Sequence, residues 1–175
     1  MLTSWSDQKL EQVVAGASVV SVGKRADALL RTSGRIKSMV FAEIKTHRTT
    51  LLSASEYRSG CWPPSEELAG GVAQVQGTVH RAVNEIGERL EDVDPDGSDV
   101  PGGFTYLLKP LAFLVIGSLD QLVGPDGGHH RDRIRSFELY RRQLHEPEVV
   151  TFDGLLARAE WHVTMAEGDV APQET

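Results

Sequence analysis

Apolar and polar residues follow one another along this chain in a pattern that predicts several strands. Residues 10–31 predict short strands interrupted near Gly16 and Gly23. The segment "SMVFAEI" (residues 38–44) predicts a buried strand bounded by polar residues. The run "YLLKPLAFLVIGSL" (residues 106–119) is almost continuously apolar, which is typical of a strand buried on both faces.

A different periodicity predicts three helices. Ser65 is a favourable N-cap, and from Leu68 to Leu90 apolar residues recur at i, i+4 and i+7, which predicts a first helix of about seven turns. The acidic segment "EDVDPDGSDVPGG" (residues 91–103) predicts a loop after it. Residues 131–144 predict a second helix, "PEVVTF" a short strand, and "DGLLARAEWHV" a closing helix capped by Asp153.

Strands that alternate with helices predict an α/β fold with a mixed central sheet flanked by helices. A chain of 175 residues with 40% hydrophobic composition can form one domain with a substantial core. We expect a single domain over residues 1–166 and a flexible tail over residues 167–175.

Composition restricts the environment and the partners of this domain. The longest apolar runs are shorter than the roughly 20 residues that span a bilayer, and the first residues show no secretory pattern. Cys61 is the single cysteine, so no disulfide forms within one chain, and we expect a cytoplasmic protein without a membrane partner. A net charge of -7 argues against broad attraction to nucleic acid, so DNA binding would need a local basic patch or another domain.

Two acidic residues fall where a buried sheet is expected. A loop centred on Arg35 would set Asp27 directly opposite Glu43, with Cβ atoms about 4.5–5.5 Å apart. Two carboxylates at that range repel each other unless a cation lies between them. Mg²⁺, or alternatively Mn²⁺, could be held by both carboxylates, the backbone carbonyl of Ile44 and waters. Lys45 shares a strand face with Glu43, so its amine points the same way.

An acid on one strand followed by acid-x-lysine on the next resembles the PD-(D/E)xK nuclease core, with Ala26-Asp27 in place of Pro-Asp. The longer resemblance is to the Shedu family of prokaryotic anti-phage defence proteins, in their carboxy-terminal nuclease domain. Its segments occur in order over about residues 23–160: "ADALLRT", "FAEIKTHRTTLL", "YRSGCWPPSEELAGGVAQVQ", "FLVIGS" and "RSFELYRRQLHEPEVVTFDGLLARA".

This resemblance implies a metal-dependent deoxyribonuclease that cleaves DNA phosphodiesters in phage defence. It implies that Asp27 and Glu43 are metal ligands, that Lys45 positions and polarises the attacking water, and that Gln74 is an active-site residue on a helix. It also implies a homo-oligomer, with a tetramer as the expected size.

The chain departs from the family pattern in two places. Related nucleases often carry Gln-x-x-x-Tyr, whereas Thr78 stands at the fourth position after Gln74 here. Family members usually have an additional amino-terminal region, which we expect this chain to lack. Glu11 is then a candidate accessory acid.

The second predicted helix concentrates positive charge in an otherwise acidic chain. Arg131, Arg135 and Arg142 can share one helix face and could contact DNA phosphates. The alternative is that Phe137, Tyr140 and Leu144 pack inward while the arginines pair with Glu138, Glu146 or neighbouring subunits.

Other metal motifs are incomplete. Asp92, Asp94 and Asp96 begin like a calcium loop, but Gly103 stands where a bidentate Glu is needed. The pair His129-His130 has no further ligand at zinc spacing. The remaining alternative for the whole chain is a nuclease-fold module without catalysis that serves oligomeric assembly or senses DNA or a phage component.

Overall fold

The computed structural model describes residues 27–32 and 35–168. The strands predicted between residues 10 and 26, and the candidate acid Glu11, lie outside the described residues. In chain order the described elements are β1 (Ala28–Arg31), β2 (Ser38–Ile44), α1 (Glu66–Ile86), β3 (Arg89–Val93), β4 (Asp99–Val115), a short 3₁₀ helix (Leu119–Leu122), α2 (Arg131–Gln143), β5 (Glu148–Val150) and α3 (Phe152–Gly168).

The strands form one mixed sheet centred on β4. β1 pairs antiparallel with β2, and β2 runs parallel to β4. On the other edge of β4, β3 pairs antiparallel with its first half and β5 pairs parallel with its end. The predicted α/β fold with a mixed central sheet flanked by helices is therefore confirmed.

The register of the first hairpin agrees with the prediction from its loop. Ala28 pairs with Ala42 and Leu30 with Val40. The same register continued by one residue puts Asp27 opposite Glu43. The prediction succeeds because side chains alternate strictly along a strand, so the position of the turn determines which residues meet.

Helix α1 covers the face of the sheet that carries Glu43. The hydroxyl of Ser65 accepts a hydrogen bond from the N–H of Leu68 and begins the helix, as predicted. The apolar stripe of α1 then packs on alternate residues of β2 and β4, and each buried Leu or Val contributes roughly 1.5–3 kcal/mol. This core comprises Met39, Phe41, Leu68, Val72, Val75, Ala82, Leu107, Ala112 and Leu114.

The predicted end of this helix and the predicted acidic loop are both wrong. α1 ends at Ile86 because Gly87 adopts a positive φ of 81° and its N–H bonds to the carbonyl of Val83. Leu90 belongs to β3. The acidic segment forms β3, a turn with Gly97 at a φ of 87°, and the start of β4. The sequence Pro-Asp-Gly in this segment favours a tight turn between two strands, although the acidic residues around it favour a loop. The strands form because their pairing satisfies the backbone N–H and C=O groups on both sides of the turn.

The last two helices flank the end of the sheet. α2 follows the predicted boundaries to within one residue. α3 begins at Phe152, and Asp153 does not cap it, which corrects the prediction. Asp153 instead accepts hydrogen bonds from the hydroxyl of Ser118 and the N–H of Leu119, while Thr151 accepts the N–H of Gly154. Across the described residues, no helix combines the length and the apolar character needed to cross a membrane.

Candidate functional site

Glu43 is a carboxylate placed inside the sheet. It lies one residue before the end of β2, directly after the buried run of residues 39–42, and is only 4% exposed. Its side chain is on the face that α1 covers, so it cannot reach bulk water freely. A buried carboxylate is expensive unless hydrogen bonds or positive charge compensate it, so its partners define the chemistry of this position.

Those partners are Lys45 and Gln74, the two residues that the family resemblance assigns to the active site beside the acids. Lys45 Nζ donates to Glu43 Oε1 over 2.9 Å, and Gln74 Nε2 donates to the same oxygen over 2.7 Å. Lys45 Nζ also lies 3.3 Å from Gln74 Oε1. The amide of Gln74 is thereby oriented with its oxygen toward the ammonium and its nitrogen toward the carboxylate.

Asp27 comes to the same end of the sheet from β1. Its Oδ2 accepts the backbone N–H of Ile44 over 2.8 Å. N–H and C=O of one strand residue point to the same edge, so the carbonyl of Ile44 also lies on the Asp27 side. The structure therefore brings together Asp27, Glu43, Ile44, Lys45 and Gln74.

Lys45 is held in a negative environment. The hydrogen bond to Glu43 raises the pKa of Lys45 above its ordinary value, burial opposes this, and the charges of Glu43, Asp27 and Glu67 raise the pKa further. Glu67 is not among the residues predicted for this site from the sequence. Its spacing of seven residues from Gln74 was the available signal, because residues seven apart share a helix face.

The donor set fits a hard divalent cation. Between described residues, both hydrogen bonds to Glu43 use Oε1 and the one to Asp27 uses Oδ2, so one oxygen of each carboxylate has no such bond. In the described part of the chain no three His, Cys, Asp or Glu residues cluster closely enough to hold a metal by themselves. Two carboxylates completed by a backbone carbonyl and waters are, however, a usual arrangement for Mg²⁺.

A second buried carboxylate lies at the other end of the β1–β2 hairpin. Asp92 bonds to Arg31 over 2.9 Å through Oδ1 and to Lys37 over 3.1 Å through Oδ2. Burial alone would raise the pKa of Asp92, but the hydrogen bonds and charges of Lys37 and Arg31 outweigh burial and lower it. From the sequence, Asp92 is recognisable only as part of an incomplete calcium loop.

The arginines of α2 form a separate surface. Arg131, Arg135 and Arg142 lie on its exposed face and share no ion pair with the residues around Glu43. Arg135 pairs with Asp132 over 3.0 Å and Arg142 with Glu138 over 2.8 Å. Phe137 is buried, and Tyr140 and Leu144 pack on the core. The alternative interpretation is confirmed in two respects: Phe137, Tyr140 and Leu144 pack inward, and an arginine of α2 pairs with Glu138. Contact between these arginines and DNA stays a prediction.

Two comparisons with known proteins bear on this site. A family model described as the C-terminal region of the Shedu protein SduA matches residues 5–156. The Shedu protein SduA of Bacillus cereus (strain B4264) is 30% identical over 161 residues, which cover 90% of this chain and 39% of that protein. The chain thus spans about two fifths of the length of this relative.

Proposed function

This chain belongs to the family of the C-terminal region of the Shedu protein SduA, and from that premise we propose that it is a metal-dependent deoxyribonuclease domain acting in anti-phage defence in the cytoplasm. The observation that carries the proposal is the cluster of Asp27, Glu43, Lys45 and Gln74 at one end of the sheet. Its formal charges sum to a net negative site, which attracts a divalent cation.

The order of elements supports the PD-(D/E)xK fold as part of this proposal. The acid of the first strand and the acid-x-lysine of the second belong to an antiparallel hairpin, β1–β2. The following helix α1 crosses over the sheet before β4 pairs parallel with β2. This order is consistent with the motif, because Asp27 and Glu43 lie at the same end of the hairpin and Lys45 and Gln74 both bond to Glu43.

In this proposal Asp27 and Glu43 would hold Mg²⁺ or Mn²⁺ through the carboxylate oxygens that bond to no described residue, with the carbonyl of Ile44 and waters completing the shell. When bound, such a metal lowers the pKa of a coordinated water and neutralises charge on the phosphate. The hydrogen bonds from Lys45 and Gln74 keep Oε1 of Glu43 occupied, so Oε2 would be the oxygen that holds the metal.

Lys45 supplies the second element of the proposed chemistry. Its ammonium carries three N–H donors, and two are directed at Glu43 and Gln74. The third can orient the attacking water or stabilise a phosphate oxygen. Its raised pKa means that it acts as a cation and a hydrogen-bond donor at neutral pH. Gln74 holds this cation against Glu43 and thereby fixes the direction of the remaining donor.

We also propose that α2 contributes contacts to the DNA backbone. Arg131 has no ion pair with another described residue, whereas Arg135 and Arg142 are paired with acids of the same helix. We therefore expect Arg131→Ala to weaken DNA binding more than Arg142→Ala, and to reduce the salt dependence of binding by about one counterion. Fluorescence anisotropy in EDTA at several salt concentrations measures both quantities, and equal effects would contradict this ranking.

A homo-oligomer, expected to be a tetramer, is part of the same proposal. Among the described residues, α3 presents exposed apolar side chains, namely Leu155, Leu156, Trp161, Val163 and Met165. Large apolar and aromatic side chains of this kind are frequent anchors of subunit contacts. Light scattering at micromolar concentration tests this, and a monomer would refute it.

The test of the nuclease proposal compares linear and circular DNA incubated with Mg²⁺, Mn²⁺ or EDTA. We expect cleavage with either metal and none in EDTA. Glu43→Gln should abolish cleavage because it removes the negative charge of the side chain. It keeps the shape of the side chain and an oxygen that accepts hydrogen bonds. Glu91→Gln removes an equal charge at an exposed position and serves as the matched control. If purified wild-type protein binds DNA or assembles but never cleaves it, the non-catalytic module replaces the nuclease.

A further inference from the structure

Helix α1 comes unusually close to the sheet at Gly71. This residue is buried, and a Cβ atom built on it would lie 3.0 Å from Cδ2 and 3.1 Å from Cδ1 of Leu114. Carbon atoms in proteins pack best at about 3.5–4.0 Å. The helix can therefore approach β4 this closely because residue 71 has no side chain.

The point of closest approach lies beside the candidate site. Leu114 is the partner of Glu43 in the register of β2 and β4. Gly71 precedes Gln74 by three residues, and residues three apart are neighbours on one helix face. The 2.7 Å hydrogen bond from Gln74 Nε2 to Glu43 Oε1 thus forms next to the contact between Gly71 and Leu114.

We propose that Gly71 is a positioning residue for this site. By leaving no side chain over Leu114, it sets the height of α1 above the sheet at the level where the amide of Gln74 reaches both Glu43 and Lys45. The effect of Gly71 on cleavage rests on the proposed nuclease function. Its effect on the position of Gln74 does not.

Two other glycines of the same helix allow the positioning role of Gly71 to be distinguished from a general requirement for glycine in α1. A Cβ atom built on Gly70 or Gly77 meets no atom within 4 Å. Gly70→Ala is therefore a matched control for Gly71→Ala, because both replace a glycine in the interior of α1 and gain the same helix propensity. Only the change at residue 71 adds a methyl group between the helix and the sheet.

The expected effect follows from the distances. Relief of the contact needs a shift of a few tenths of an ångström by Leu114 or by the helix. A displacement of 1 Å in a catalytic arrangement can cost about 10²-fold in rate, so we expect Gly71→Ala to lower kcat about tenfold with KM little changed. Gly70→Ala should cleave like the wild type. Leu114→Val, which removes the contacting methyl positions, should restore much of the loss in Gly71→Ala.

The experiment combines cleavage with a readout that needs neither metal nor activity. Gly71→Ala and Gly70→Ala are each made in the wild-type and Gln74→Ala backgrounds. If Gly71 acts through Gln74, Gly71→Ala lowers cleavage in the wild-type background only. In metal-free protein, ¹⁵N NMR of the Gln74 side-chain amide should shift in Gly71→Ala and stay unchanged in Gly70→Ala.

Three outcomes would overturn the proposal. One is an unchanged Gln74 amide resonance in Gly71→Ala, and another is an equal loss of cleavage in both Gln74 backgrounds. The third is unfolding of both Gly71→Ala and the double variant Gly71→Ala, Leu114→Val. Residue 71 would then be needed for folding as a whole and not for the position of Gln74. If the wild type does not cleave DNA while the amide resonance shifts as expected, the nuclease proposal fails and the positioning role of Gly71 stands.

Discussion

Each end of the β1–β2 hairpin lies beside a buried carboxylate and positive charge, Glu43 of β2 at one end and Asp92 of β3 at the other, and the proposed function gives the two carboxylates different roles. At the turn end, both oxygens of Asp92 are bonded, and Arg31 and Lys37 supply two positive charges to one negative charge. At the open end, Asp27 and Glu43 share the single positive charge of Lys45, and one oxygen of each has no hydrogen bond to a described residue.

In our proposal this difference distinguishes a structural anchor from a metal site. A saturated, overcompensated carboxylate has no capacity for a ligand, so Asp92 ties β1 and the start of β2 to β3. An undercompensated pair of carboxylates keeps both charge and lone pairs available. Burial and ion pairing are common to both ends, so in our proposal the functional acids are distinguished by their charge balance and by the oxygens that bond to no described residue.

The largest expected effect is on Glu43. Glu43→Gln keeps an oxygen that can accept from Lys45 and Gln74 but removes the charge that attracts the cation. We expect Mn²⁺ binding by calorimetry to become undetectable and cleavage to fall to the wild-type rate in EDTA, with little change in thermal unfolding. Asp92→Asn is the matched comparison, and wild-type metal binding in Glu43→Gln would remove the distinction between the two ends.

Lys45 should show a smaller effect of a different kind. Lys45→Ala removes a cation that does not hold the metal in our proposal, so we expect it to retain Mn²⁺ binding while cleavage falls about 10²-fold, as for one preorganised electrostatic group. Calorimetry and a cleavage assay on the same preparation measure both. If metal binding and cleavage are lost together, Lys45 is needed to build the site rather than to act in it.

Asp92 should affect stability rather than cleavage. Asp92→Asn leaves Arg31 and Lys37 without their carboxylate, and we expect it to lower the free energy of unfolding by about 1–3 kcal/mol. Urea denaturation measures this loss. The rate of cleavage below the unfolding transition should equal that of the wild type, and a catalytic defect with unchanged stability would reverse the roles of the two ends.

The smallest effect is a pH dependence at the Asp92 end. The folded pKa of Asp92 is lowered below its ordinary value of 3.8, so its contribution to stability is present above that value and is lost as pH falls through the folded pKa. The wild type should therefore lose stability more steeply than Asp92→Asn on acidification below about pH 4. Parallel acid unfolding curves of the two proteins would contradict the ion-pair assignment.

Much of the fold was predictable because it depends on local pattern. The boundaries of β2 and α2 follow from apolar periodicity, and the start of α1 from its Ser65 cap. The end of α1 was missed because the apolar period continues to Leu90, while Gly87 with its positive φ determines where the helix stops. Asp153 was misassigned because an acid near a helix start can equally bond to another segment, here Ser118 and Leu119.

The candidate site divides in the same way. The sequence alone determined that Asp27 and Glu43 would be opposed and that Lys45 would share the face of Glu43, since alternation along strands and the centre of a hairpin loop are properties of neighbouring residues. Only the tertiary structure decided that Gln74 closes the network, that Asp92 binds Arg31 and Lys37, and that Gly71 allows the close approach of α1. These contacts join residues far apart in the chain, and periodicity indicates which way a side chain points but not what packing brings opposite to it.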